Sequence, residues 1–394
     1  MKEKIIKHIN YKIVVFNCFI VLFVISFANF KNLDIVRYIT LIVLQLLCIL
    51  NIVKKKVQVN KTNIITMSIL IFSMLFSLFK TSDFNESIFK ILIVVDLLMF
   101  SNVLLPNYLK DIEFNTIINS TLKTIFITLL TLFIFFHNDY VISYDSNRVG
   151  NLVRFVCGLN HPNILGIFAS LGFMIGIYFI AIKSKKIYKY IMYLLFLGII
   201  LLKSGSRTAT YVILIFGLLF FKDLLVKNRK VKLLIYLFII LSVITYIIFN
   251  EYDLEKINFD TINTLLSYRL TYIQSAIHKL TENNALFIGM GAFRNSMTNE
   301  IGSVMLDNGY FNYIYQYGII SFIVLIKMLI NNFKIIDYSE ESREKKIFVK
   351  NLYIVFLIYS FFENILLNIS SLFAILIYTF INIISFKEKK WFQL

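Results

Sequence analysis

Apolar runs of about 18 or more residues recur along the whole chain, and this feature limits the possible folds more than any other. A run of this length matches the roughly 30 Å hydrocarbon core of a bilayer at a helical rise of about 1.5 Å per residue. Because backbone groups in lipid must satisfy each other, each run is predicted to be a helix. With 58% apolar residues, the sequence predicts an all-α, polytopic transmembrane helical protein.

The candidate spans number about twelve, with a large outer loop before the tenth. They cover residues 13–30, 35–53, 64–79, 88–105, 117–136, 163–182, 187–202, 208–221, 233–249, 308–330, 351–367 and 369–386. The third, seventh and eighth are short, which leaves a count of ten or eleven open. The sequence has no internal repeat and no soluble segment large enough for another domain, so residues 1–394 are predicted to form a single integral membrane domain.

The distribution of Lys and Arg predicts the orientation in the membrane. With the N-terminus in the cytoplasm, the inner segments hold 26 of these residues and the outer segments hold 10. Because cytoplasmic loops carry an excess of Lys and Arg, this split predicts a protein of the cytoplasmic membrane with both termini inside. The net charge of +17 comes from short clusters between apolar runs, so no nucleic-acid partner is expected.

Two predicted outer loops are long, residues 138–162 and residues 250–307. Loops of more than about 15 residues are usually functional. Apolar residues in the second loop recur at spacings of three and four, at Leu266, Leu270, Ile273, Ile277 and Leu280. This spacing predicts an amphipathic helix that lies in the membrane interface or packs on the tops of the spans.

Arginine is concentrated on the predicted outer side. The inner set holds 24 Lys and 2 Arg, whereas the outer set holds 5 of each. Arg binds phosphate oxygens with a planar pair of donors, so the outer arginines are candidate ligands for an anionic substrate. They are Arg148, Arg154, Arg207, Arg269 and Arg294. The alternative is that they pair with lipid headgroups or with acidic residues of the loops.

Two short motifs lie where predicted helices begin on the outer side. Arg207 lies in the turn KSGSRT, whose backbone amides form an anion-binding nest or simply cap the next helix. His161 lies in NHPN at the start of the sixth span. An imidazole there is either a catalytic base or a helix cap.

Further candidates lie around the second loop and within the spans. Gly289 and Gly291 are spaced to let backbone come close to a ligand. Asp307 precedes the tenth span as an N-cap, a general base, or both. Asp96 is acidic near mid-membrane and is interpreted as structural, protonated or paired with Lys123. Glu363 lies toward the outer end of the eleventh span. It is a candidate functional residue because ionisable groups are costly in lipid.

Four stretches resemble the O-antigen polymerase and O-antigen ligase superfamily. They are GLNHPNILG at 158–166, SGSRTA at 204–209, YRLTYIQSAIHKLTENNALFIGMGAFR at 268–294, and DNGYFNYIYQYGIIS at 307–321. The resemblance also covers the pattern of spans and the large outer loop before the tenth.

The resemblance implies a membrane glycosyltransferase that uses undecaprenyl-diphosphate-linked oligosaccharides without a nucleotide sugar, cofactor or metal. Arg207, Arg269 and Arg294 occupy motif positions and would stabilise charge on the departing diphosphate. The ligase pattern is expected to have His where this chain has Asp307, which favours a Wzy-type polymerase of capsule, exopolysaccharide or O-antigen. A ligase-like glycan transferase and a polysaccharide flippase or transporter are the alternatives. Membrane lipids, a chain-length regulator and a flippase are the expected partners.

Overall fold

The computed structural model describes residues 2–29, 33–53, 57–143, 152–182, 187–225, 269–291, 308–386 and 391–393. This part of the chain is mainly helical. Its helices are α1 Lys2–Ile25, α2 Leu33–Ile52, α3 Lys61–Leu75, α4 Phe84–Met99, α5 Leu105–Leu109, α6 Phe114–Phe135, α7 Pro162–Ala181, α8 Ile187–Ser204, α9 Arg207–Leu225, α10 Arg269–Glu282, α11 Gly309–Tyr338, α12 Arg343–Phe362 and α13 Leu372–Ser385. A 3₁₀ turn, Phe76–Phe79, follows α3, and a π-helical segment, Phe100–Leu104, joins α4 to α5.

Seven helical stretches in the described residues are long and apolar enough to cross a membrane. They are Ile35–Ile52, Lys61–Phe79, Phe84–Leu109, Phe114–Phe135, Pro162–Ala181, Ile187–Ser204 and Gly309–Tyr338. Tyr11–Ile25 and Leu372–Ser385 are shorter apolar helices. The helical, polytopic membrane architecture is therefore confirmed. The total of twelve spans stays a prediction, and the ninth candidate, 233–249, lies outside the described residues.

Short polar residues begin several of these helices. The Asn60 side chain accepts from the amides of α3, and that of Asp83 accepts from an amide of α4. Asn308 caps α11 with acceptor distances of 3.0 and 3.1 Å, and Ser371 caps α13. Each cap satisfies N–H groups that lack partners within the helix.

The helix α13 lies at the centre of the bundle. All its residues from Leu372 to Ser385 are buried. In the described part of the chain the other helices form a closed ring, in which the neighbours are α1, α6, α7, α9, α12, α11, α3, α4, the π-helical segment with α5, and α2, which returns to α1. α8 packs on the outside of α7. The two ends of α13 therefore define two ends of the molecule.

Two small antiparallel sheets correct the all-helical expectation. β1 Gln58–Asn60 pairs with β4 Trp391–Gln393, and β2 Tyr140–Ser143 pairs with β3 Leu152–Phe155. The sequences of β2 and β3, YVIS and LVRF, are rich in the β-branched and aromatic residues that favour strands. The first predicted outer loop thus contains a β-hairpin.

The two ends of the bundle differ in their contacts. At one end, which we call the arginine end, the hairpin meets the end of α1, where the amide of Asn29 donates to the carbonyl of Gly158 at 2.9 Å. The starts of α7, α9 and α11 and the finish of α12 also lie there. The opposite or lysine end holds the ion pair between Lys12 and Asp111 at 3.0 Å.

Candidate functional site

The turn after β3 fixes the position of the hairpin at the arginine end. Gly158 has φ +76°, in the left-handed region, and its amide donates to the Asp139 carboxylate at 2.9 Å. A Cβ at this position would come within 2.6 Å of the Phe136 ring. The turn therefore requires glycine, and its geometry places β3 beside the end of α8.

Arg154 of β3 is half-buried and links two helices. Its Nε donates to the carbonyl of Ser204, the last residue of α8, at 3.0 Å. Its Nη2 donates to Oδ1 of Asn163 in the first turn of α7 at 2.7 Å. Its stem runs over Gly205, where an added Cβ would lie 3.5 Å from Cγ and Nε. A planar guanidinium makes the two bonds from separate nitrogen atoms in a fixed geometry, which the single nitrogen of an ammonium group does not reproduce.

Arg207 brings a second cation close to Arg154. It is the first residue of α9 and is exposed. Burial lowers the pKa of Arg154, and repulsion from Arg207 lowers it further, while Glu363 acts in the opposite direction. Arg207 is therefore close enough to interact electrostatically with Arg154, and the Glu363 carboxylate is close enough to oppose that repulsion.

The starts of α7 and α9 add to this potential. Gly166 of α7 lies so close to α9 that a Cβ there would be 2.7 Å from Cβ of Ser206. Helix N-termini carry partial positive charge and unpaired N–H groups that favour anions. Two parallel N-termini beside two guanidinium groups form the electropositive part of the arginine end.

His161 caps α7, as one of the two interpretations of NHPN predicts. Its Nδ1 accepts from the amide of Asn163 at 3.1 Å, and Pro162 follows it in the first helical turn. An Nδ1 that accepts a hydrogen bond belongs to the tautomer with the proton on Nε2. The imidazole is exposed.

Asn163 and Glu363 join the site through a contact that the motifs do not reveal. Nδ2 of Asn163 donates to Oε1 of Glu363 at 2.8 Å, across 200 positions of sequence. In the sequence, Asn163 belongs to a helix-start motif and Glu363 is an ionisable group near the end of a predicted span. Their separate signals were visible in the sequence, but their proximity was not.

The glycine turn at Gly289 and Gly291 packs on α11. The amides of Met290 and Gly291 donate to carbonyls of Tyr315 and Gln316, both at 2.9 Å. A Cβ at Gly289 would lie 2.4 Å from the carbonyl oxygen of Gln316. The close backbone approach expected from these glycines is therefore made to α11. Binding of a ligand at Gly289 and Gly291 stays a prediction.

The same turn bridges a break in α11. Gly318 has φ 75° and ψ 174°, which interrupts the helix. The amides of Ile319 and Ile320 donate to the carbonyls of Leu286 and Phe287, at 3.0 and 3.2 Å. The amides of Met290 and Gly291 donate to carbonyls before the break, so the turn satisfies backbone groups on both sides of it.

Several predicted site residues cannot be placed. Asp307, Arg294 and Arg148 lie outside the described residues. Arg269 begins α10, and its side chain is likewise outside the description. The predicted amphipathic helix is α10 itself, and Ala276 and Leu280 on it pack against Tyr315 of α11.

Residues 191–326 match the family model described as O-antigen ligase. The match confirms the resemblance to the polymerase and ligase superfamily and indicates O-antigen polymerase-like or ligase-like glycan processing. It runs from α8 to the first part of α11 and includes Arg207, while Arg154, Asn163 and Glu363 lie outside it. No curated protein matches the chain.

Proposed function

We propose that the protein is a polysaccharide polymerase. It joins undecaprenyl-diphosphate-linked oligosaccharide repeat units of a capsule, exopolysaccharide or O-antigen at the outer face of the cytoplasmic membrane. The observation that carries the proposal is the convergence of Arg154 and Arg207 with the starts of α7 and α9 at one end of the bundle. The match to the family model supports the same class of substrate.

The electropositive arrangement suits a diphosphate leaving group. In this reaction the bond between the sugar and the diphosphate breaks, and negative charge grows on the departing phosphate oxygen. Preorganised donors aimed at developing charge stabilise a transition state because they need no reorganisation. Arg154 has five N–H donors, of which two are used on Ser204 and Asn163. Those two bonds hold the guanidinium in place for the diphosphate.

The arginine end is then the outer end. This assignment agrees with the charge distribution, which places both termini and most lysines in the cytoplasm. A chain-length regulator and the flippase that delivers the repeat units would act beside the polymerase in the same membrane. Arg269 and Arg294 remain proposed ligands of the diphosphate. Asn308, rather than Asp307, is the N-cap of α11, which corrects the cap prediction for Asp307.

A ligase-like glycan transferase is the second candidate, because the matching family model carries the ligase description. It would use the same lipid-linked donor and the same arginines, with a different acceptor. The polymerase is preferred because Asp307 replaces the His expected in ligases. A flippase or transporter would need a substrate path through the bundle, whereas α13 fills the centre with buried side chains.

Deletion of the gene distinguishes these functions. A polymerase mutant should carry single repeat units on its surface or accumulate lipid-linked single units on the outer leaflet, and a plasmid copy should restore long chains. A ligase mutant should instead accumulate long lipid-linked polymer. Units trapped on the inner leaflet would indicate a flippase, and unchanged polymer would contradict every glycan-processing role. Glycan length is measured by gel electrophoresis, and the lipid-linked species by mass spectrometry.

A further inference from the structure

Glu363 lies at the electronegative side of the arginine end. It is the C-cap of α12, a helix of 20 residues, with extended backbone at φ −139° and ψ 146°. Its amide donates to the carbonyl of Tyr359 at 3.0 Å, which closes the last turn. A helix C-terminus carries partial negative charge. The site thus has an electropositive half at α7 and α9 and an electronegative half at α12.

Asn163 sets the spacing between the two halves. Its Oδ1 accepts a hydrogen bond from Nη2 of Arg154 at 2.7 Å, and its Nδ2 donates to Oε1 of Glu363 at 2.8 Å. The guanidinium and the carboxylate are therefore held one side-chain amide apart. In displacement at a sugar carbon, one group activates the nucleophile and another assists the departure of the leaving group. The Asn163 amide fills the gap between the carboxylate and the guanidinium, so in the proposed reaction the sugar binds beside this row of three side chains.

Two other titratable groups of the described site are used structurally. The Asp139 carboxylate accepts from the amide of Gly158 and holds the turn after β3. His161 uses Nδ1 to cap α7, which puts the proton on Nε2 and makes that nitrogen a donor. A general base must accept a proton from the attacking hydroxyl. Glu363 meets this requirement better than His161 does.

We propose that Glu363 is the general base of the transfer reaction and that Asn163 is the positioning residue that fixes it relative to Arg154. This assignment rests on the proposed function. The acceptor sugar hydroxyl donates its hydrogen bond to the Glu363 carboxylate, and its oxygen attacks the anomeric carbon of the donor. The carbon–oxygen bond to the diphosphate breaks, and its electron pair leaves with the diphosphate beside Arg154 and Arg207. The proton passes to Glu363 and then to water.

The relative activities of two variants distinguish a general base from a residue that only holds Asn163 through a hydrogen bond. Glu363→Gln keeps the shape and an oxygen that accepts from Asn163, but it cannot take up a proton. Glu363→Asp keeps a carboxylate but shortens the side chain. The rate of polymer formation is measured in membrane vesicles that contain the cell's own lipid-linked units, and it is normalised to the amount of protein in the membrane. Normalisation keeps the comparison valid if one variant accumulates poorly.

A general base predicts that Gln lowers the rate by about 100-fold or more and that Asp retains more activity than Gln. A residue that only holds Asn163 predicts the reverse order, which would overturn the assignment. Asn163→Ala should lower the rate by less than Glu363→Gln, because the base is kept and only its placement is lost. Glu282→Gln, on the exposed face of α10, is the matched control and should leave the rate unchanged.

The proposed function and the base assignment fail differently. If deletion of the gene and Arg154→Ala both leave polymer unchanged, the proposed function is wrong. If those changes stop polymer formation but Glu363→Gln supports a normal rate, the function stands and the base is another group.

Discussion

Among single residues, Arg154 makes the largest number of separate contributions to the candidate site. It caps the C-terminus of α8 through Ser204, holds Asn163 of α7, and lies close to Arg207 despite their like charge. The Glu363 carboxylate lies near enough to offset part of the repulsion between the two cations.

Replacing Arg154 by Lys tests whether the planar arrangement of guanidinium donors matters in addition to the charge. Arg154→Lys keeps the charge but cannot bond Ser204 and Asn163 with the same geometry. Loss of one charge-assisted contact made in the transition state costs about 1.5–3 kcal/mol, which is about 10–150-fold in rate. Polymer formation should fall nearly as far as with Arg154→Ala.

Arg343→Lys at the lysine end is the control for this prediction. Arg343 also bonds a carbonyl, that of Asp223, at 3.0 Å, but it lies at the opposite end of the bundle. It should retain full activity at normal membrane abundance. Full polymer from Arg154→Lys would show that charge alone matters and would contradict the proposed diphosphate contact.

The residues of the candidate site were only partly predictable. Arg154 and Arg207 stand out because arginines are disfavoured in outer loops, and His161 stands out as a helix start. The link from Asn163 to Glu363 depends on the packing of α7 against the end of α12, which no local pattern encodes. Asp96 shows the same limit, since its hydrogen-bond partner is Gln45 on α2 at 2.8 Å rather than the proposed Lys123.

For the elements, hydrophobic length predicted helices well and strands poorly. A run that must cross lipid has only one common backbone solution, so every predicted span within the described residues falls on a helix. Strands of three or four residues, such as β1 and β4, give little periodicity and pair across the whole chain. In α10 the buried residues include Ala276, which is not part of the predicted apolar stripe.

The break in α11 gives a prediction for element stability. In Gly318→Ala, the added Cβ would lie 2.3 Å from the carbonyl oxygen of Phe287. Backbone with positive φ and ψ near 180° also costs a non-glycine residue about 1–3 kcal/mol. The glycine turn should then detach from α11, and the melting temperature of the detergent-solubilised protein should fall.

Gly217→Ala is the matched substitution for Gly318→Ala. Gly217 lies within α9, and no atom lies within 4 Å of an added Cβ. Alanine is favoured over glycine within a helix by about 1 kcal/mol, so this variant should melt at the same temperature or higher. Equal melting temperatures for the two variants would show that the turn does not stabilise the break.

At the scale of the whole molecule, the two ends differ in the type of cation as well as in its number. Lysine is a strongly hydrated point charge and suits a topology signal, whereas arginine binds phosphate with paired donors. The composition of the loops predicted this division, and the structure brings Arg154 and Arg207 together at one end. The sequence could not predict which of the outer arginines would meet, because that depends on the closed ring around α13.

The direction of the bundle in the membrane is the last prediction, and every proposed role at the arginine end depends on it. Two exposed glutamates provide matched labelling sites, Glu282 at the end of α10 and Glu340 between α11 and α12. Each is changed to Cys after the native Cys18, Cys48 and Cys157 are replaced. Both changes remove the same charge, so neither alters the Lys and Arg distribution that sets orientation.

A membrane-impermeant maleimide applied to intact cells should label the Cys at 282, because α10 packs on the outer part of α11. The Cys at 340 should react only after the cells are made permeable, since it follows α11 at the lysine end. The opposite pattern would place the arginines in the cytoplasm. A diphosphate site would then face the leaflet where repeat units are assembled rather than the one where they are joined, and the polymerase proposal would fail with the orientation.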